Sequence, residues 1–194
     1  DLDLKFPLGM SDATMPGITR YGRLSIETAP AHLLPHSVHF FLEVARNFAG
    51  GAFHRNGRHV IQALLDGPRK EAVAFQEYDP LFPHRQWTLG FAGRPGGPAF
   101  YISSLGNEKT HGPGSQGSKT EADVCFGRLR MNDKDTALVA RRLSKVWGIG
   151  PGWSADGHGF VTDGSMWVRI TSMKIRKYEE GMEKHDEDYE DDEA

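Results

Sequence analysis

A chain of 194 residues with 38% apolar side chains and a net charge of −3 has the length and composition of one folded domain with a sizeable core, not of a disordered polymer. The single cysteine, Cys125, excludes an intrachain disulfide framework and a cysteine-based zinc cluster. No apolar run is long enough to cross a membrane, and Lys and Arg are scattered rather than striped, so neither a spanning segment nor a nucleic-acid partner is expected.

The charge is uneven. Residues 179–194 hold ten acidic residues and one Lys, which leaves 16 acidic against 22 basic residues in 1–178. With almost nothing apolar to bury, this tail is expected to lack fixed structure. The plainer reading is a solubilising tail; the sharper one is a site for a cation or a basic partner. The chain opens at Asp1 without Met, so it reads as a processed or trimmed form, consistent with an organelle or the secretory pathway.

In chain order, residues 1–17 read as an irregular N-terminal extension punctuated by Pro7, Gly9, Pro16 and Gly17. A body over 18–178 follows. "RYGRLSIETA" alternates, with Leu24 and Ile26 on one face and Arg23, Ser25 and Glu27 on the other, which predicts a half-buried strand. The period then lengthens: Leu34, Val38, Phe41, Ala45 and Phe48 fall at helical spacing, Pro35 suits a first turn, and Gly50-Gly51 ends the run. "GAFHR" and "HVIQALL" predict a hairpin. "QWTLGFAG" and "AFYISSL" predict a second, split by "RPGGP", and "DVCFGRL" a further strand. Residues 134–147 place Leu138, Ala140, Leu143 and Val146 near helical spacing, with Asp133 or Asp135 as cap. "SMWVRITSMKIRK" predicts a last strand. Strands dominate, with 23 glycines for turns, and the run lengths suit a mainly β fold: a closed antiparallel barrel capped by two helices.

The ordered set Phe53-His54-Arg55, Val60-Ile61-Gln62, "LGFAG…GGPAFYI", Phe126-Gly127-Arg128-Leu129 and the terminal "ITSMKI" resembles the cyclophilin family of peptidyl-prolyl cis-trans isomerases over roughly residues 18–177. The resemblance implies an eight-stranded barrel with a helix over each mouth. It implies that Arg55 is the catalytic residue, donating to a prolyl amide in a groove on the outer surface near Gln62, Tyr101 and the loop around His111. The groove set carried over is Phe53, His54, His59, Val60, Gln62, Ala92, Phe100, Tyr101, His111 and Asp123, with no cofactor and no metal.

The departures are as informative. Where the family has an aromatic and a Met after the Arg, this chain has His59 and Val60; where the family has Gln-Phe-Phe, it has Ala99-Phe100-Tyr101. Ala92 matches a pocket Ala, but Gly93 replaces the Asn that follows. The family's Trp-Leu-Asp-Gly-x-His is absent; "NEKTHGPGSQGSKTEAD" stands there, and the family's His aligns with Asp123. The Arg is kept while the proline socket is polar, shallow or rebuilt.

Other constellations carry two readings each. His111, Glu121 or Asp123 contacts a ligand from the 107–127 stretch, or that stretch is a long hairpin loop, which is preferred. His54 packs behind Arg55 rather than reacting. His36 and His39 share a helix face, but the sequence supplies no third ligand, so solvated histidines are preferred to a metal site. "WGIGPGWSADGHGF" forms an aromatic lip or an ordered loop packed by Trp147 and Trp153; it is no nucleotide fingerprint. Two functions follow. The preferred one is a peptide- or protein-binding domain with weak or absent isomerase activity, and the alternative is an active isomerase using Arg55.

Overall fold

The computed structural model describes residues 1–7, 20–67, 73, 76–93, 96–115, 121–146 and 158–177. In them the strands are β1 (Leu2–Lys5), β2 (Tyr21–Leu24), β3 (Ile26–Thr28), β4 (Gly50–Asn56), β5 (Val60–Asp66), β6 (Thr88–Gly93), β7 (Gly96–Ser103), β8 (Cys125–Leu129) and β9 (Val168–Met173). The helices are α1 (Pro35–Arg46), α2 (Glu108–His111) and α3 (Lys134–Lys145). The acidic tail, Trp147, Trp153 and most of the Gly-rich loop lie outside the described residues. Among the described residues no helix is long and apolar enough to cross a membrane.

All nine strands join one antiparallel sheet in the order β2-β1-β9-β4-β5-β7-β6-β8-β3. Its two end strands, β2 and β3, are separated in sequence by Ser25 alone, so the sheet curls into a nearly closed barrel. The expected count of eight is corrected to nine, because the seven strands read from the sequence gain two. The strand predicted over 20–29 breaks at Ser25, whose N–H donates to Thr136 Oγ1 of α3 at 2.9 Å while its carbonyl accepts from Arg130 N at 2.9 Å. Those partners satisfy the backbone outside the ladder, as buried polar groups require. And residues 1–17 are not all irregular: Leu2–Lys5 pairs with both β2 and β9, and Leu2 and Leu4 sit in the core.

Three further corrections are local. The first helix stops at Arg46 with Asn47 as its C-cap, and Gly50-Gly51 opens β4. On α3, Leu138 is 43% exposed, while Thr136, Val139, Ala140, Arg142 and Leu143 are buried. Residues 108–111 form a short helix inside the predicted loop. Asp133 caps α3 as expected, accepting from Asp135 N.

The N-terminus of α1 has no local side-chain cap. Its orphan donors are met from a distance: Glu77 accepts from Ser37 N at 2.8 Å and from His36 N at 3.3 Å. The helix buries Phe41 against Phe126 and Phe100, at centroid separations of 4.5 and 5.9 Å. Val139 of α3 lies against β2, where a Cβ on Gly22 would come within 2.6 Å of it. Inside the barrel, Ile61, Ile102 and Leu89 form one cross-strand row and Ala63, Phe100 and Phe91 another, all fully buried. Side chains alternate faces along a strand, so the row between these two must face outward.

Candidate functional site

That intervening row carries the chemistry. Gln62 of β5 lies opposite Arg55 of β4 on one side and Tyr101 of β7 on the other, and Tyr101 lies opposite Gly90 of β6. Strict alternation from the buried Phe53 would turn Arg55 inward. A β-bulge between Phe53 and Arg55 inserts His54 as an extra residue, and Arg55 emerges on the face of Gln62 instead.

The Arg55 guanidinium is held on three sides. Its Nη1 donates to Gln62 Oε1 at 2.9 Å and its Nε to the His158 carbonyl at 2.9 Å, while Cζ lies 4.8 Å from the centroid of the Phe160 ring. Segment 158–161 is laid along β4 as an isolated bridge: Asn56 N donates to Gly159 O and Val161 N to His54 O. A side chain at Gly159, where φ is +76°, would run into Asn56 O, so glycine is what permits this approach. Among the described residues Nη2 has no protein acceptor. It lies 3.7 Å from the point a Cβ on Gly57 would occupy, and His59 Cε1 lies 3.6 Å from the same point, so the two groups flank one glycine.

On the other side of Gln62 is a buried cluster of rings. His111, the last residue of α2, donates from Nδ1 to Asp123 Oδ2, and Asp123 N–H donates back to the His111 carbonyl at 2.7 Å. Tyr101 donates to the same Asp123 oxygen at 3.4 Å. His84 donates from Nε2 to the Asp123 carbonyl at 2.8 Å, which fixes its tautomer because a carbonyl can only accept. The His111 ring stacks on His59 at 5.5 Å and packs on Tyr101 at 4.8 Å and His84 at 5.7 Å. Burial pushes the His84 imidazole down to about 4, so it is neutral at physiological pH. Among the described residues, His111 Nε2 and His84 Nδ1 are buried with no hydrogen-bond partner.

The sequence set therefore divides. Arg55, His59, Gln62, Tyr101, His111 and Asp123 come together. Phe53 and Phe100 do not line a groove: each is fully buried in the core. Val60 is buried as well, and Ala92 sits half-buried at a second bulge, between Phe91 and Gly93. His54 is half-buried against Phe160 and Trp167, and burial lowers its pKa. His36 and His39 are both exposed on α1. Sequence reasoning missed His84 and Phe160. Nothing local marks His84; the glycine pair around His158 in "GHGF" was the available signal for Phe160.

No family model matches the chain, and no curated protein matches it in sequence. Function has to be read from the side chains themselves. What they offer is a directional cation braced on an outer barrel face, beside a desolvated His–Asp–Tyr cluster that fills the space next to it.

Proposed function

We propose that this chain is a divergent cyclophilin-like domain that binds proline-containing peptide segments at Arg55, with weak or absent isomerase activity. The observation that carries the reading is the outward row Arg55–Gln62–Tyr101, with the guanidinium fixed by Gln62, His158 and Phe160. Rotation about a peptide bond faces a barrier of about 18–20 kcal/mol because the amide is conjugated. A donor aimed at the amide nitrogen favours the twisted, pyramidal form over the planar one, and a guanidinium stays charged and directional while doing so.

The socket argues for low turnover. Val60 and Tyr101 are each 3% exposed and His111 is 9% exposed, so these three present no open apolar slot for a prolyl ring. Forgoing burial of such a ring costs roughly 1–2 kcal/mol of binding, which is about a tenfold loss for each 1.4 kcal/mol. The test is isomerisation of a short X-Pro peptide by NMR exchange, with an ordinary cyclophilin alongside. We expect weak turnover and a further fall on Arg55→Ala. Turnover equal to the ordinary enzyme would instead support the active-isomerase alternative. Peptide binding and turnover unchanged by Arg55→Ala would remove Arg55 from the function.

A further inference from the structure

We propose that segment 107–115 is a proton-operated latch: it stays closed over Tyr101 while the imidazole cluster carries at most one charge, and acidification releases it to uncover the face beside Arg55. The second half of this inference rests on the peptide-binding reading given above; the latch itself does not.

Asn107 N–H donates to the His84 carbonyl at 2.8 Å, and Asn107 Nδ2 donates to the His59 carbonyl at 2.9 Å. His111 is bonded to Asp123 twice, through its ring and through its carbonyl. Each of these tethers thus ends on a residue of the ring cluster. Gly106 precedes the segment and Gly114 lies near its end, with φ +81° and nothing within 4 Å of where a Cβ would sit, a backbone suited to pivoting.

Inside the cluster the charge balance is lopsided. His59 arrives from the β4–β5 turn, His84 from the segment ahead of β6 and Tyr101 from β7, while Asp123 arrives from the segment ahead of β8. Glu108, exposed on α2 itself, adds a second negative charge whose field reaches His84. Cys125 of β8 remains an uncharged thiol. Asp123 places one negative charge at the His111 ring. Protons on two of these rings would put like charges 5.5 or 5.7 Å apart, and because His84 and His111 are buried, water screens that repulsion poorly at the His84–His111 pair and only partly at half-exposed His59. Among the described residues His111 Nε2 and His84 Nδ1 have no partner in the closed arrangement, so any proton arriving on either atom is poorly accommodated until the segment lifts.

The test is amide hydrogen exchange of the full chain at about pH 7.5 and about pH 4, corrected for intrinsic exchange. Peptides covering 104–115 are expected to lose at least about tenfold more protection at the lower pH than β4 and β9 peptides, whose loss tracks the fall in global stability. His84→Gln with His59→Asn keeps donors at Nε2 and Nδ1 positions without the extra protons, and is expected to hold the segment closed at both pH values. His59→Asn alone, at a half-exposed position, serves if the double variant does not fold. Equal protection at both pH values, or the same loss in the variants, overturns the latch. Loss spread uniformly over the barrel also overturns it. An X-Pro peptide is then titrated at both pH values. If the segment opens in acid and the peptide binds no better, the latch stands and the peptide-binding reading fails.

Discussion

Gly90→Ala tests whether the Tyr101 ring is clamped where the structure places it. A Cβ at Gly90 would lie 2.5 Å from both Cζ and Oη of Tyr101 and 2.8 Å from the Val124 carbonyl. Ordinary carbon contacts are about 3.5–4.0 Å, so the ring must retreat by about 1 Å. It has little room to do so, with His111 at 4.8 Å and His84 at 6.1 Å on its faces. Overpacking of this kind costs about 1–3 kcal/mol, and a displaced Tyr101 hydroxyl forfeits its bond to Asp123, about 1 kcal/mol more. Relief of glycine's backbone entropy returns roughly 0.5–1 kcal/mol, so the clash wins and a net loss of about 1–3 kcal/mol is expected. Urea unfolding measures it as a lower midpoint at unchanged slope. In a Tyr101→Ala background the two nearest contacts, both on the ring, are gone while the Val124 carbonyl remains, and the cost should fall by about 1 kcal/mol or more. An equal cost in the two backgrounds, or a stabilised single variant, would refute the clamp.

The remaining predictions concern the core and the titrating groups. Phe126→Ala removes a fully buried ring that packs on Phe91 at 4.3 Å and Phe41 at 4.5 Å, and should lower unfolding free energy by about 3–5 kcal/mol in denaturant titration. His84, held down to about 4 by burial against an ordinary 6.5, binds its proton more readily when the chain is unfolded. Its contribution is therefore complete above about pH 6.5 and is lost as pH falls toward 4, by about 3 kcal/mol in all. His84→Gln should flatten that part of a stability–pH curve, and an unaltered slope would count against the assignment. Burial pushes the Cys125 thiol up to about 12, so iodoacetamide at pH 8 should leave native protein unmodified for hours and react promptly once urea is added.

The sequence by itself determined most of the elements and the pairing of the hairpins. Period and punctuation are local properties, and they located β4 and β5 around a tight turn, α1 behind Pro35 and α3 behind Asp133. They did not reveal β1, because four residues among prolines and glycines carry too little pattern until β2 and β9 are seen to flank them. Leu138 illustrates the same limit: helical spacing fits either of two adjacent faces, and only the barrel decides that Val139 is the buried one. The cap on α1 comes from Glu77, some forty residues away, where no local signal could place it. The site depended most on tertiary structure. Arg55 was legible as a residue, but its outward direction is set by the bulge at His54, and a bulge is a mismatch between two strands rather than a property of either. His84 meets Asp123 and His111 only because the segments ahead of β6 and β8 converge on the turn after β7. A chain read one residue after another shows which groups can donate or carry charge, but which of them share a desolvated space is fixed by the closure of the sheet.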